Sequence, residues 1–278
     1  MILVTGVSGQ LGSAFRERLG DGARYLARAD LDLTDVASIR PMIEALSPTM
    51  VINCAAYTAV DAAEDDEETA TLVNATAVEE LARATARVGA KLVTFSTDYV
   101  FDGTKVGAYL ETDETSPINV YGQTKFEGEQ RALAANANAL VIRTSWLLSG
   151  THPNFAATML GLIADGPVQV VDDQRGRPTF VDDLVVGTLA ADGAGATGLL
   201  HLTNQGTTTW FNLAREIAEL ARLDPERVQP VTTDQFPRRA ARPANSVLDS
   251  VRLEGFGLSL LPDYDESLQA AIEKLGRI

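Results

Sequence analysis

The chain contains a single cysteine, Cys54, which excludes an intramolecular disulfide framework and a multi-cysteine zinc site. Its two histidines, His152 and His201, stand far apart and form no paired metal-ligand motif. Basic residues are also few: 23 Lys and Arg against 38 Asp and Glu give a formal net charge of −15. Sequence-independent nucleic-acid binding needs a basic surface, so that class is disfavoured. No run approaches the roughly 20 apolar residues that span a bilayer. The start, Met1-Ile-Leu-Val-Thr5-Gly6, lacks a basic n-region and meets glycine too early for a signal peptide. These absences give the expectation of a soluble, cytoplasmic protein with neither nucleic acid nor membrane as partner. What is present is 278 residues, 45% of them hydrophobic, enough for a sizeable core in one large domain or two coupled ones.

Apolar runs and helical periodicities alternate along the first half. Ile2-Leu-Val4 predicts a buried parallel strand that opens into glycines. Residues 10–19 predict a helix with Leu11, Phe15 and Leu19 on one face. A weak strand over 24–27 follows, then a helix over 35–46 with Asp35 as N-cap and Pro48 as its stop. Strands over 50–53, 92–96 and 139–144 alternate with helices over 66–88 and about 120–135. The class expected is therefore α/β, a Rossmann-type doubly wound parallel sheet with helices on both faces. Beyond about residue 150 the alternation weakens. Short strands, helices over 209–222 and 264–275, and loops with Pro178, Pro237 and Pro243 predict a smaller C-terminal substrate-side lobe.

Gly6-Val-Ser-Gly9-Gln-Leu-Gly12 joins the first strand to the first helix. Glycines there permit a tight turn and let a pyrophosphate approach the amides of a helix N-terminus. The spacing is G-x-x-G-x-x-G, so an ordinary strand-to-helix turn is the alternative. At the adenosine end, the second strand closes on Leu26-Ala27-Arg28, and Asp30 and Asp32 come only afterwards. Arg28 suits a 2′-phosphate, so NADPH is the expected cofactor and NADH the alternative. The expected division is 1–150 as the NAD(P)-binding Rossmann domain and 151–278 mainly as the substrate lobe, with some segments returning to the sheet.

Tyr121-Gly-Gln-Thr-Lys125 places a phenol and an ammonium four residues apart, on one face of a helix. A free tyrosine titrates near ~10, and a lysine charge beside it lowers that value. Such a tyrosine can protonate an oxyanion as hydride reaches a carbonyl carbon, and the lysine can hydrogen-bond a ribose. The pair alone also fits a plain surface helix. Its context is Ser96-Thr97-Asp98-Tyr99-Val100-Phe101 at the end of the fourth strand, where an open parallel sheet binds its ligands. Thr97 can hydrogen-bond a substrate oxygen and Asp98 a substrate hydroxyl.

At these residues the chain resembles the extended short-chain dehydrogenase/reductase superfamily, and within it the dTDP-4-dehydrorhamnose reductase family, nearly end to end. The matching stretches are Val4 to Gly12, Asp32-Leu-Thr-Asp35, Asn53 to Asp61, Ser96 to Gly103, Tyr121 to Lys125 and Arg143-Thr-Ser-Trp146, then Val171 to Gln174, Pro178-Thr179 and Arg242 to Leu248. The resemblance implies reduction of the 4-keto group of dTDP-6-deoxy-L-lyxo-4-hexulose to dTDP-L-rhamnose, with a nucleotide sugar as the partner. It implies Tyr121 as proton donor, Lys125 as its partner and ribose ligand, and Thr97 as third member. Gly9, Gln10 and Leu11 would face the pyrophosphate, with Gly6 and Gly12 also in the cofactor-binding set; Asp32 and Leu33 would flank the adenine; Ala55, Ala56 and Tyr57 would line the cofactor. Thr58, Val60, Asp98 and Trp146 would meet the sugar or nicotinamide, with plain core as the alternative for Trp146. Cys54 is expected to be a small buried hydrophobe.

Family members with a magnesium-linked dimer carry a glutamate where this chain has Ala14. Asp182 and Asp183 can still offer carboxylates, but three ligands do not assemble from the matched positions. No metal site is therefore assigned, Mg2+ dependence stays open, and either a monomer or a homodimer is expected. The acidic run Asp61, Glu64, Asp65, Asp66, Glu67 and Glu68 is read as a helix start. An anionic substrate meets a protein of net charge −15, so Arg175, Arg177, Arg238, Arg239 and Arg242 are candidates for the diphosphate. The rival readings are a related nucleotide-sugar ketoreductase, epimerase or dehydratase, and a non-catalytic relative that regulates methionine adenosyltransferase.

Overall fold

The structure, a computed structural model, describes residues 1–276. Its first half runs β1 (Ile2–Thr5), α1 (Gln10–Leu19), β2 (Ala23–Leu26), α2 (Val36–Leu46), β3 (Met50–Asn53), α3 (Val60–Ala63), α4 (Glu67–Thr71), a π-helical turn (Leu72–Thr76), α5 (Ala77–Arg87), β4 (Lys91–Thr97), α6 (Val120–Ala135) and β5 (Ala139–Thr144). The second half adds β6 (Leu147–Leu148), α7 (Phe155–Asp165), β7 (Val168–Val171), β8 (Arg175–Gly176), β9 (Thr179–Phe180), α8 (Val181–Gly193), β10 (Gly198–His201), β11 (Thr208–Thr209), α9 (Trp210–Leu220), β12 (Val228–Val231) and α10 (Tyr264–Leu275).

Six strands form one parallel sheet in the order β10-β5-β4-β3-β1-β2. Side chains alternate along each strand, and the two apolar faces follow from that period of two. Val4, Ile52, Val93, Leu140 and Ile142 pack with Leu11 and Phe15 of α1 and Leu184 and Val185 of α8. Leu3, Val51, Leu92 and Val141 point the other way, onto Ile39 and Ile43 of α2 and Leu81 of α5. Strands covered on both sides need nearly continuous apolar runs, which is what β3, β4 and β5 carry. Truncating one such residue, for example Ile52→Ala, costs about 2–5 kcal/mol.

The chain leaves β1 for β2 on one side and later takes up β3 on the other. That reversal opens a crevice beyond the carboxyl ends of β1 and β3. Thr5 and Asn53 mark its floor, the Thr5 hydroxyl donating to Asn53 Oδ1 at 2.7 Å.

The second lobe has its own core, where Leu148, Ile163, Leu213, Ile217, Leu268 and Ile272 join α7, α9 and α10. Residues 181–201 lie with the main sheet: α8 packs against α1 and β10 pairs with β5. Two helices, α7 and α8, exceed the sequence expectation for this half. Both carry apolar residues on the outer face, Leu162 in α7 and Val186 in α8, so the 3.6-residue pattern is faint. The long helix expected over 66–88 is interrupted by the π turn. Asp35 stands at the N-cap of α2 without a side-chain capping bond, and Ser47, in the left-handed region at φ 43°, ends it. Among the described residues no helix is long and apolar enough to cross a membrane.

Candidate functional site

A cavity of about 470 Å³ occupies the crevice. Gly6, Gly9, Gln10, Leu11, Arg28, Asp32, Leu33, Ala55, Ala56, Tyr57, Thr58, Tyr121 and Lys125 all line it. Gly12, Val60, Thr97, Asp98 and Trp146 do not.

The glycine turn is built by exclusion of Cβ atoms. Gly6 has φ +68°, and a Cβ there would lie 2.5 Å from the Ala55 nitrogen. Gly12 works from beneath the turn: a Cβ would lie 2.3 Å from the Gly6 carbonyl oxygen. The helix can therefore sit directly on the turn. Gly9 is the N-cap of α1, with no side-chain cap and no acidic residue in the first turn. The open amides and the positive end of the helix face the cavity, a setting for a phosphate group. At the far end Arg28 is largely exposed and its Nε donates to Asp32 Oδ2 at 3.1 Å. Asp32 Oδ1 accepts from the Thr34 amide and hydroxyl, and these bonds hold its carboxyl below the usual range.

Tyr121 and Lys125 are brought to the cavity by the start of α6. Asn119 caps that helix, its Oδ1 accepting from the Gly122 amide at 2.7 Å, and Glu64 Oε1 accepts from the Val120 amide at 2.9 Å. Glycine at 122 lets α6 approach the Tyr99 carbonyl, which a Cβ would meet at 2.1 Å. The Tyr121 and Tyr99 rings meet edge to face, 6.0 Å between centroids. Lys125 is buried and its Nζ donates to the Phe95 carbonyl oxygen at 2.6 Å.

The titration of this pair departs from the sequence expectation. Loss of solvent pushes Tyr121 up to about 12; the Thr97 hydroxyl beside it partly offsets the rise and Asp98 adds to it. Burial pushes Lys125 down to about 8, against the pull of Glu129. Burial outweighs any lowering by the lysine charge, and the ammonium itself rests on the Phe95 carbonyl. Tyr121 therefore keeps its proton at neutral pH, the state a proton donor needs.

Thr97 and Asp98 are buried where β4 ends. The Thr97 hydroxyl donates to Asp98 Oδ1 at 2.9 Å and accepts from the Tyr99 amide at 3.2 Å. Burial pushes Asp98 up to about 6, although the Ser246 and Thr97 hydroxyls favour its charged form. Its Oδ2 is buried without a hydrogen bond of ordinary geometry. Trp146 lies outside the cavity in the left-handed region at φ 46°, its indole stacked on Trp210 with centroids 3.5 Å apart. Cys54 is half-buried in the cavity wall, more open than expected, and low solvation pushes its thiol up.

Most of the remaining sequence candidates have local partners. Asp61 is held by Arg242, whose Nη2 donates to Oδ2 at 2.9 Å, and Asp65 pairs with Arg239. Arg177 donates to the Leu248 carbonyl at 2.6 Å. Arg175 and Arg238 form no ion pair among the described residues. Within the acidic run, Asp66 caps α4 by accepting from the Thr69 amide. Asp182 accepts from Lys274 at 3.0 Å, and Asp183 from Asn204 and Ser267. Among the described residues no group of three or more His, Cys, Asp or Glu is placed to hold a metal ion.

Three contributors escaped the sequence reading. Asn74 sits in the π turn and clamps Tyr57, accepting from its amide at 2.9 Å and donating to its carbonyl at 3.1 Å. Its Nδ2 also donates to Thr124 Oγ1 at 3.1 Å, tying this part of the cavity wall to α6. Nothing in a helical pattern marks such a residue except its polarity on an apolar face. Ser96 and Thr144 line the cavity, and their hydroxyls are buried without partners.

The RmlD substrate binding domain model matches residues 1–277. A dTDP-4-dehydrorhamnose reductase of Mycobacterium tuberculosis is 45% identical, over 98% of this chain and 92% of that one. A probable dTDP-4,6-dihydroxy-2-methyloxan-3-one 4-ketoreductase of Streptomyces antibioticus is 43% identical, over 97% and 93%. The solved dTDP-4-dehydrorhamnose reductase of Bacillus anthracis, in complex with NADP, superposes with a TM-score of 0.94 at 35% identity, over 98% of each chain. With its whole described length matched, its glycine turn and Tyr121/Lys125 pair around one cavity and Thr97 beside Tyr121, the chain belongs to the RmlD substrate binding domain family.

Proposed function

We propose that this protein reduces the 4-keto group of dTDP-6-deoxy-L-lyxo-4-hexulose to dTDP-L-rhamnose with NADPH. The observation that carries the reading is Tyr121: a protonated phenol beside Thr97, in the wall of a cavity that also contains the glycine turn. The cavity fits a dinucleotide. Its turn packs directly against Ala55 and under α1 only because Gly6 and Gly12 carry no Cβ, and Ser96 and Thr144 offer unpartnered hydroxyls along the wall. Gly6, Gly9, Gln10 and Leu11 would hold the pyrophosphate, with Gly12 supporting the turn. Asp32 and Leu33 would flank the adenine, Arg28 would take the 2′-phosphate, and Ala55, Ala56 and Tyr57 would line the remainder.

When bound, the nicotinamide supplies the hydride. Tyr121 gives its hydroxyl proton to the sugar oxygen, and Lys125 holds the ribose while its charge favours the phenolate left behind. Thr97 orients that phenol. Asp98, with Oδ2 unpartnered, accepts a hydroxyl of the sugar. Thr58, Val60 and Trp146 border the substrate. Arg175 and Arg238, unpaired, are the arginines available to its diphosphate.

The Streptomyces antibioticus relative, nearly as similar as the mycobacterial one, favours a second reading in which another dTDP-linked keto sugar is the substrate. Incubation with NADPH and each keto sugar, followed by product analysis, separates the two. Rhamnose-configured product at the higher kcat/KM supports the first reading. Faster turnover of the other sugar supports the second, and no turnover of either contradicts both.

A further inference from the structure

Glu129 stands one helical turn beyond Lys125 on α6, on the same face. It is 2% exposed, and so is Arg143 of β5. A buried ammonium and a buried carboxylate at this spacing would ordinarily form a direct pair. Here they do not. Arg143 takes both oxygens, Nε donating to Oε1 at 2.9 Å and Nη2 to Oε2 at 2.7 Å. The Lys125 ammonium is on the Phe95 carbonyl instead.

Arg143 is itself fixed from its other side. Its guanidinium lies over the Phe101 ring, 5.1 Å from the centroid, and Nη1 is 3.3 Å from His201 Nε2. His201 Nδ1 is 2.9 Å from the Asp249 carbonyl oxygen, which can only accept, so Nδ1 carries the proton and Nε2 accepts from Arg143. Burial and the arginine charge push His201 down to about 4, so the ring is neutral at working pH. The ionised partners of the network are thus Glu129 and Arg143, with Glu111 accepting from the His201 amide on the far side.

We propose that Glu129 and Arg143 are positioning residues for Lys125: Arg143 occupies both Glu129 oxygens, which leaves the Lys125 ammonium on the Phe95 carbonyl at the cavity wall. The inference rests on the cofactor and proton-donor roles given above to Lys125 and Tyr121. The Glu129 charge still acts through space and favours the ammonium, whereas Arg143 opposes it. The other titratable groups near the site are Tyr121 on the same helix, Asp98 and Tyr99 after β4, and Cys54 in the cavity wall. Replacing a buried ion pair as a whole by apolar residues is often neutral for folding, whereas removing one partner is destabilising, so the double variant is the one best placed to fold.

Lysine titration by NMR on protein carrying 13C-labelled lysine reads this directly. The chain has only Lys91, Lys105, Lys125 and Lys274, and loss of one resonance in Lys125→Arg assigns it. In the wild type Lys125 titrates below the ordinary lysine value, at about 8. Glu129→Gln lowers its midpoint by about one unit, Arg143→Met raises it, and the double variant lies between. Should either single variant fail to fold, the remaining one and the double variant give the same ordering. A merely structural pair would lower the melting temperature and leave the Lys125 midpoint in place, and that result overturns the proposal. The alkaline limb of kcat follows the same order, about tenfold in rate per unit well above the midpoint. Wild-type protein that turns over no keto sugar refutes the function, while the NMR ordering still decides the role of the pair.

Discussion

Arg242 holds the Asp61 carboxylate through two guanidinium nitrogens, closing a loop of the C-terminal lobe onto the segment that follows β3. The Ala240 amide donates to the same carboxylate at 3.1 Å. These bonds push Asp61 down to about 2, below its ordinary value of 3.8. A depressed carboxyl stabilises the fold above its unfolded value and loses that contribution as pH falls through the folded one. Asp61→Asn is expected to lower the melting temperature at neutral pH, with the deficit shrinking below pH ~4 toward pH ~2. Melting curves across that range check it; a deficit independent of pH would contradict the pairing.

Tyr121→Phe removes the proton donor and leaves the ring against Tyr99. The expected loss in kcat is about a hundred- to ten-thousandfold, with NADPH affinity near the wild-type value. Steady-state kinetics beside a fluorescence titration of NADPH separates the two effects. Near-normal turnover would remove Tyr121 from the role.

Gly12→Ala sets two effects against each other. Alanine favours a helix interior by about 1 kcal/mol over glycine. The new methyl would lie 2.3 Å from the Gly6 carbonyl, so turn and helix must separate. Overpacking of that kind costs about 1–3 kcal/mol, so the clash wins. We expect a lower melting temperature together with weakened NADPH binding, because the same movement displaces the Gln10 and Leu11 amides.

The architecture was legible because its signals are local. Strands β3, β4 and β5 are apolar on both faces, and α6 and α10 have the bounds that periodicity indicates. The cavity lining was legible for the same reason, since turn and strand-end residues follow the chain order. What escaped depends on contacts distant in sequence. Asn74 reaches Tyr57 across a π turn that no composition marks. Arg242 and Arg239 are bound to Asp61 and Asp65, so charge alone overstated the arginines free for a phosphate. Likewise, the spacing of Tyr121 and Lys125 does not reveal that Phe95 holds the ammonium.

Arg28 is exposed and paired with Asp32. Arg28→Ala is expected to weaken NADPH binding on the order of tenfold, the loss of one charge-assisted contact. NADH affinity should stay unchanged, since NADH carries no 2′-phosphate. Parallel titrations with the two nucleotides decide it: equal losses would place Arg28 elsewhere than at the 2′-phosphate.

The most direct test follows the hydrogen itself. Purified protein is given dTDP-6-deoxy-L-lyxo-4-hexulose and NADPH deuterated at the transferable position of nicotinamide C4. The predicted result is loss of NADPH absorbance and a rhamnose-configured product with deuterium at the sugar C4, both strongly slowed in Tyr121→Phe. A folded protein that consumes no NADPH, or a product without deuterium at C4, would contradict the proposed reduction.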